Sequence, residues 1–304
     1  MNTRRIGSLT VSAVGLGCNN FGGRLDAAAT ADVVHAALDA GVTFFDTADI
    51  YGGTRSEEFL GRALGARRPE VVVATKFGMR VDERRRGARP DYVRQACDDS
   101  LRRLGTEVID LYQLHQPDSS VPIADTLGAL DDLVRAGKVR EIGCSNFSVP
   151  QLRAAAAVPT AAHFASVQNE YSLFQRAPEE DGVLAECART GLAFLPYFPL
   201  ASGLLSGKYR RGQAPPPGTR LASGSRSDQL TDEKLARVER LIALADGRGH
   251  TVLELAVAWL LARPEVASVI AGATRPEQVR ANAAAAAWHL DADDLAAVEQ
   301  ALVD

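Results

Sequence analysis

The sequence predicts an α/β fold, a closed (β/α)8 TIM barrel with an N-terminal β-hairpin cap and extra helices before the last strand. Eight short apolar runs of strand length recur along the chain. Helical patterns lie between them, and strands that alternate with helices are typical of a parallel sheet. The length of 304 residues is long for an ordinary domain but usual for such a barrel. We therefore expect one domain over residues 1–304.

The first predicted element is a small hairpin in the stretch RRIGSLTVS, residues 4–12, which turns at Gly7-Ser8. The eight apolar runs follow it, and each is expected to form one strand of the barrel. They occupy residues 13–17, 42–46, 71–76, 108–115, 138–145, 164–170, 192–197 and 267–272.

Helical patterns separate the runs, and they close on or beside a glycine, which is a common end of a helix. The pattern at 28–41 places its apolar residues on one face and ends at Gly41. Similar patterns, each predicted as one helix, cover residues 90–105, 125–138 and 178–191.

The spacing changes after residue 197. A loop rich in Gly, Pro and Ser covers residues 209–229, and extra helices are predicted at about 231–246 and 251–262. A loop of this length inside a compact fold is often functional. No linker divides the chain.

Composition limits the possible partners. The chain is 46% hydrophobic and 24% charged, with a net charge of −4, which disfavours nucleic acid as a partner. No apolar run approaches the roughly 20 residues that span a bilayer, and the N-terminus has no apolar signal core. The four scattered cysteines predict reduced thiols rather than disulfides or a metal site. These features predict a cytoplasmic protein without a membrane partner, and its oligomeric state is left open.

Polar or aromatic residues follow every apolar run. In a barrel of this kind the carboxyl ends of the strands meet at one rim, where the chemistry takes place. We therefore expect the following residues to converge: Asn19, Asp46, Lys76, His115, Ser145 with Asn146, Gln168 with Asn169, Tyr197, and Gly272 with Thr274.

Four of the predicted rim residues suit the protonation of a carbonyl oxygen. A phenol such as Tyr51 is a weak acid, and a nearby ammonium such as Lys76 favours its phenolate. Asp46 can hold that ammonium, and His115 can polarise a carbonyl. No side chain can donate a hydride, so this chemistry requires a nicotinamide cofactor.

Seven motifs follow one another along the chain: GVTFFDTADIYGGTRSEEFLGRAL (41–64), VVVATKFG (71–78), DLYQLHQPD (110–118), VREIGCSNF (139–147), VQNEYSLF (167–174), LPYFPLASGLLSGKY (195–209) and VIAGATRPEQVRAN (269–282). On these motifs, the sequence resembles the aldo-keto reductase family over essentially its whole length. By this resemblance Tyr51 is the general acid, Lys76 lowers its pKa, Asp46 pairs with Lys76, and His115 orients the substrate carbonyl.

The resemblance implies NADP(H) as the cofactor, and the chain has no GxGxxG motif that would indicate a Rossmann site. A helix predicted to begin near Pro276 offers its free N–H groups to a phosphate. The residues implied for cofactor binding are Cys18, Asn19, Asp46, Ser145, Asn146, Gln168, Tyr197, Phe198, Pro199, Leu200, Ser202, Lys208, Arg220, Gly272, Thr274, Arg275, Gln278 and Asn282. The loop 209–229 would then form a flap over the cofactor.

The predicted function is NADPH-dependent reduction of aldehydes or ketones. Two alternatives remain open: an NADP-dependent dehydrogenase that oxidises a sugar or polyol, and a regulatory subunit that senses NADP(H) without turnover. The sequence does not identify the substrate. Aromatic residues near the strand ends predict an apolar substrate pocket: Phe21, Phe77, Phe147, Tyr171 and Phe198.

Overall fold

The computed structural model describes residues 1–222 and 227–303, and its centre is a closed barrel of eight parallel strands with helices around it. The first and last barrel strands pair with each other, which closes the sheet. The predicted barrel is confirmed, and every predicted run overlaps one barrel strand. The barrel strands are β3 (Val14–Gly17), β4 (Phe44–Asp46), β5 (Val72–Phe77), β6 (Ile109–Leu114), β7 (Val139–Ser145), β8 (Phe164–Glu170), β9 (Ala193–Tyr197) and β10 (Val269–Gly272).

The predicted hairpin is also present, as β1 (Thr3–Ile6) and β2 (Leu9–Ser12). Its apolar side chains pack with barrel residues such as Phe44 and Leu111 in one buried cluster. The backbone N–H of Ser8, in the hairpin turn, donates to a Glu141 carboxylate oxygen at 2.7 Å. The hairpin therefore caps the amino-terminal end of the barrel and leaves the carboxyl ends of its strands free.

The helices surround the barrel, and their apolar residues pack against it. The two extra helices before the last strand are confirmed as α8 and α9. The helices are α1 (Ala27–Asp39), α2 (Arg55–Leu64), α3 (Pro90–Leu104), α4 (Ile123–Arg135), α5 (Val149–Ala156), α6 (Ala177–Glu180), α7 (Val183–Thr190), α8 (Asp232–Asp246), α9 (Val252–Leu261), α10 (Pro276–Ala284) and α11 (Ala292–Leu302), with short 3₁₀ turns at Gly65–Glu70, Ala201–Ser206, Ser227–Gln229 and Ala285–Ala287.

One helix prediction is wrong in detail. The pattern at 178–191 forms two short helices, α6 and α7, rather than one. Gly182 lies between them with φ +78°, a left-handed conformation that interrupts a helix.

The structure covers the loop at 209–229 except for residues 223–226, which lie outside the described residues. The four cysteines are buried free thiols. In residues 1–222 and 227–303, no helix is both long and apolar enough to cross a membrane.

Candidate active site

A cleft of about 880 Å³ lies at the carboxyl ends of the barrel strands. Each of the eight strands, or the loop directly after it, contributes to its lining, as the predicted convergence requires. Of the residues named at the strand ends, Lys76 and Asn169 do not line the cleft. Lys76 is fully buried beneath the surface of the cleft, and the Asn169 amide donates to the Phe147 carbonyl at 3.0 Å.

Lys76 and Asp46 form a buried ion pair on the neighbouring strands β5 and β4. The Lys76 Nζ lies 2.6 Å from Asp46 Oδ2 and also donates to the Thr47 carbonyl at 2.9 Å. Burial opposes the charge on Lys76, but the Asp46 carboxylate and Tyr51 outweigh it and raise the Lys76 pKa above its ordinary value. Lys76 therefore remains an ammonium at neutral pH.

The other oxygen of the Asp46 carboxylate accepts from two glutamines inside the barrel. The Gln168 Nε2 lies 2.9 Å from Asp46 Oδ1, and the Gln113 Nε2 lies 3.3 Å from the same atom. With Lys76 on Oδ2, three side-chain donors surround one carboxylate. This arrangement supports a buried negative charge, because each donor stabilises the ionised form.

Tyr51 follows β4 and lines the cleft directly above this pair. The Lys76 Nζ lies 5.3 Å from the centre of the Tyr51 ring. Burial raises the Tyr51 pKa above its ordinary value of 10.0, and the Lys76 ammonium, which acts in the opposite direction, does not fully offset it. The prediction that Lys76 lowers the Tyr51 pKa is correct for that interaction alone. The net direction is upward, because removal from water penalises the phenolate more.

His115 lies at the end of β6 with its ring edge-to-face with the Tyr51 ring, at 5.7 Å between centres. Burial, together with the nearby Lys76 charge, lowers the His115 pKa to about 3. The imidazole is therefore neutral at physiological pH, with one nitrogen that donates and one that accepts. Its Nδ1 is buried and has no hydrogen-bond partner in the part of the chain that the structure describes.

A chain of polar groups continues along the cleft from β7 to β9. The Ser145 hydroxyl donates to the Gln168 carbonyl at 2.6 Å, and the Asn146 amide donates to the His115 carbonyl at 3.0 Å. The Tyr197 hydroxyl donates to Asn146 Oδ1 at 2.8 Å. The Asn146 amide also donates to the Ser145 hydroxyl at 3.1 Å. Four predicted cofactor residues at the ends of neighbouring strands are thus connected to His115: Ser145, Asn146, Gln168 and Tyr197.

The segment after β9 has an unusual backbone. Phe198, Ala201 and Ser202 have φ values of 51°, 47° and 59°, in the left-handed region that side chains other than glycine rarely adopt. Strain of this kind costs of order 1–3 kcal/mol per residue and concentrates at ligand sites. Phe198 and Ser202 line the cleft, as do Pro199, Leu200 and Lys208.

The far end of the cleft is formed by the turn from β10 into α10. The backbone N–H and hydroxyl of Thr274 both donate to Gln278 Oε1, at 2.8 and 3.1 Å. Arg275 occupies the N-cap position of α10 and is exposed. Gly272 and the mostly buried Asn282 lie on the same wall. A helix N-terminus beside an arginine is suited to bind a phosphate.

Part of the predicted flap lies across the cleft. We call residues 217–220 the strap, and all four line the cleft. The Arg24 guanidinium donates to the Gly218 carbonyl at 3.2 Å, and the Arg220 guanidinium donates to Asn20 Oδ1 at 3.4 Å. The strap is therefore joined to the loop that follows β3.

All eighteen predicted cofactor residues line this one cleft, including Cys18 and Asn19. Their roles in binding remain predictions. Several lining residues were not anticipated. Asn20 and Arg24 follow a strand end and could have been included by the same rule, whereas the contribution of Leu253, on α9, has no local sequence signal. Pro217, Gly218 and Thr219 lie in the predicted flap but were not named individually. The other lining residues that were not named are Gly17, Asn20, Arg24, Met79, Gln116, Gly203, Ser206, Leu253, Ile270, Ala271, Ala273, Glu277 and Ala281.

The predicted aromatic pocket is mostly wrong. Phe198 lines the cleft, but Phe21, Phe77, Phe147 and Tyr171 are at most 3% exposed and belong to the apolar core. Successive side chains on a strand point to opposite faces, so Phe77, directly after the inward Lys76, points away from the barrel interior. There it stacks on Tyr112 at 4.7 Å between ring centres.

Comparison with known proteins gives a consistent result. The model of the Aldo/keto reductase family matches residues 13–303. A probable aldo-keto reductase 1 of Glycine max is 35% identical over 301 residues, which are 96% of this chain and 86% of that protein. An aldo-keto reductase of Schizosaccharomyces pombe whose name specifies NADP(+) is 37% identical over 294 residues, 92% of this chain and 85% of that protein.

Solved structures agree in fold. The glycerol dehydrogenase of Gluconobacter oxydans superposes with a TM-score of 0.87 at 34% identity, over 99% of this chain and 94% of that one. A thermostable aldo-keto reductase, solved with the inhibitor epalrestat, superposes with a TM-score of 0.82 at 27% identity, over 99% of this chain and 100% of that one.

Proposed function

The chain belongs to the aldo/keto reductase family and is an NADP(H)-dependent oxidoreductase, and from this premise we propose that it reduces aldehydes or ketones to alcohols with Tyr51 as the proton donor. The observation that carries the proposal is the convergence of Asp46, Lys76, Tyr51 and His115 at the base of one cleft.

The residues of the cleft fit an NADP(H) cofactor. The volume of the cleft, about 880 Å³, is in the range of ligand sites. Lys208, Arg220 and Arg275 supply positive charge for the phosphates of the cofactor. The strained backbone after β9 and the N-terminus of α10 lie on the same cleft. Ser145, Asn146, Gln168 and Tyr197 would hold the nicotinamide end, and Gly272, Thr274, Arg275, Gln278 and Asn282 would hold the adenosine phosphate. When bound, the cofactor supplies the hydride.

The protein's own groups handle the carbonyl oxygen and its proton. The neutral His115 can donate one N–H to the oxygen, which polarises the carbonyl and fixes its position. Tyr51, protonated because its pKa is raised, gives its proton to that oxygen as the alcohol forms. Lys76, held in place by Asp46, stabilises the phenolate that remains.

A panel of carbonyls and alcohols tests the proposal. Turnover would be followed by the absorbance of the reduced nicotinamide, with NADPH and with NADH, on the wild-type protein and on a Tyr51→Phe control. We expect reduction of aldehydes with NADPH that the control lacks. The name of the Gluconobacter structure makes glycerol a necessary member of the alcohol set.

Three outcomes are distinguishable. Turnover only on glycerol or other polyols would show that the protein oxidises alcohols, the reverse reaction, with the same catalytic residues. Tight NADPH binding without turnover on any compound would indicate a sensing subunit. Turnover that survives in Tyr51→Phe would contradict the role of Tyr51.

A further inference from the structure

A row of residues crosses the interior of the barrel just below Tyr51. In the strand register, Lys76 on β5 is beside Gln113 on β6, which is beside Gly143 on β7. Gly143 is in turn beside Ser166 on β8. Gln113 is 0% exposed and does not line the cleft, so neither a substrate nor a cofactor there contacts it.

The orientation of the Gln113 amide follows from its partner. An ionised carboxylate only accepts hydrogen bonds, so the NH₂ end of the amide must face Asp46. The Nε2 lies 3.3 Å from Asp46 Oδ1, while Lys76 occupies Oδ2 at 2.6 Å. The Gln113 Oε1 is consequently buried, and it has no hydrogen-bond partner in residues 1–222 and 227–303.

The neighbouring strand leaves space for this amide. A Cβ atom at Gly143 would lie 3.2 Å from the Gln113 Cγ and 2.6 Å from the Ser166 Oγ. Any larger residue at 143 would therefore displace one of these side chains. A buried amide with an unsatisfied oxygen lowers stability, whereas an apolar side chain of the same size would not, so this arrangement requires an explanation other than packing.

We propose that Gln113 is a positioning residue for the proton donor: its amide fixes the Asp46 carboxylate, which holds the Lys76 ammonium against Tyr51. The inference rests on the proposed function. Gln168 donates to the same oxygen but also lines the cleft, where a bound cofactor can recruit its amide. Gln113 does not line the cleft, so its amide N–H can donate to Asp46 both before and after the cofactor binds.

The electrostatic consequence has a definite sign. The titratable groups that interact with Asp46 are Lys76, Tyr51 and Cys18, and His115 lies against Tyr51. The Asp46 charge raises the Tyr51 pKa, and the Lys76 charge lowers it. Removal of the Gln113 N–H leaves more of the Asp46 charge uncompensated and its position less fixed. Tyr51 then becomes a poorer acid.

The test compares Gln113→Leu and Gln113→Glu with a control, Thr75→Val. Thr75 is adjacent to Lys76 on β5, and its hydroxyl donates to Glu57, away from Asp46. We expect Gln113→Leu to lower kcat for carbonyl reduction about 10-fold, the scale of one hydrogen bond to a charged group, with the affinity for NADPH nearly unchanged. Thr75→Val should lose stability but keep the wild-type pH profile.

The glutamate variant supplies a pH signature. Burial and the neighbouring carboxylate raise the pKa of a glutamate at 113, so at low pH it is protonated and can donate to Asp46. We expect activity near wild type at low pH and a fall as the pH rises, steeper than in any other variant. Equal pH profiles for the wild type and both Gln113 variants would overturn the proposal.

A double-mutant cycle with Asp46→Asn, measured by urea unfolding, needs no turnover and therefore tests the proposal even if carbonyl reduction fails. If Gln113 acts through the Asp46 charge, Gln113→Leu should cost much less stability in the Asp46→Asn background than in the wild type. Additive costs would assign Gln113 a packing role and reject the inference. The Tyr51→Phe comparison in the compound panel tests the proposed function separately.

Discussion

His115 and Tyr51 are adjacent, and burial favours the neutral form of each. It lowers the pKa of His115 and raises the pKa of Tyr51. Burial, with the nearby Lys76 charge, lowers the His115 pKa to about 3, so the imidazole stays neutral over the pH range in which enzymes are assayed. Burial raises the Tyr51 pKa above its ordinary value of 10.0, so the phenol keeps its proton into the alkaline range. Both shifts depend on the three-dimensional surroundings, and the sequence shows only which groups are present.

These shifts predict the pH dependence of carbonyl reduction. We expect kcat/KM to have no inflection from His115 between about pH 5 and 8, and to fall only in the alkaline range as Tyr51 loses its proton. A pH series of kcat/KM in constant-ionic-strength buffers measures this. An inflection near pH 6.5 that disappears in His115→Gln would contradict the neutral imidazole.

Asp49 is another buried acid, two residues before Tyr51, with one carboxyl oxygen that has no partner in the described residues. Burial, with the nearby Glu57 charge, raises its pKa from 3.8 to about 7. The folded protein therefore binds a proton more tightly than the unfolded chain does. This contribution to stability is complete below about pH 4 and is lost as the pH rises to about 7.

Asp49→Asn removes this titration. We expect the variant to be more stable than the wild type at pH 8, by up to about 4 kcal/mol, because a shift of one pKa unit corresponds to about 1.4 kcal/mol. At pH 4 the gain should be absent. Urea unfolding at both pH values measures the difference, and an equal difference at the two values would refute the assignment.

Among the elements, the loop from β4 to α2 is the one that presents Tyr51. Gly52 and Gly53 both have positive φ, at +59° and +65°, but their surroundings differ. A Cβ at Gly52 would lie 2.2 Å from the Phe21 carbonyl oxygen, whereas a Cβ at Gly53 would meet no atom within 4 Å. Of these two glycines, only Gly52 packs closely against the loop that follows β3.

This difference predicts a matched pair of variants. Gly53→Ala should cost about 1 kcal/mol, from the left-handed conformation alone, and leave kcat nearly unchanged. Gly52→Ala should lower stability clearly more and should also lower kcat. The loop that carries Tyr51 must move to relieve the clash with the Phe21 carbonyl oxygen. Thermal unfolding and steady-state kinetics on both variants measure this. Equal effects at the two positions would show that the contact with Phe21 does not constrain the loop.

The sequence predicts the periodic elements well and the details of side-chain direction less well. The barrel strands are short apolar runs bounded by turns, and their order follows from alternation with helices. Helices α2, α5 and α11 were not anticipated. The aromatic pocket was mispredicted because proximity to a strand end does not determine which face of the strand a side chain occupies, as Phe77 shows.

At the scale of the whole molecule, barrel closure brings distant segments into one cleft. The wall at α10 and the tetrad of Asp46, Tyr51, Lys76 and His115 are separated by more than 150 residues in sequence but line or underlie the same cavity. The motif at 269–282 was sufficient to predict most residues of the wall at α10. The strap lies within the loop 209–229 that was predicted to cover the cofactor. Leu253 could not be derived from local patterns, because its position depends on how the long segment before β10 folds back.

Cofactor preference tests the far end of the cleft. Arg275 is exposed at the N-cap of α10, and Arg280 on the same helix is exposed but does not line the cleft. Because a charge-assisted hydrogen bond contributes about 1.5–3 kcal/mol, Arg275→Ala should weaken NADPH binding at least about 10-fold and leave NADH binding nearly unchanged. Arg280→Ala serves as the control. Fluorescence titration with each cofactor measures the effect, and an equal loss for both cofactors would show that Arg275 supports the loop rather than the 2′-phosphate.

The most direct test of carbonyl reduction by this site is the Tyr51→Phe variant, assayed for turnover and for NADPH binding in the same preparation. The substitution removes one hydroxyl and keeps the ring that packs against His115. Loss of a general acid typically lowers the rate by about 10²-fold or more. We predict a loss of that size in kcat with NADPH still bound, whereas a rate within about threefold of the wild type would contradict Tyr51 as the proton donor.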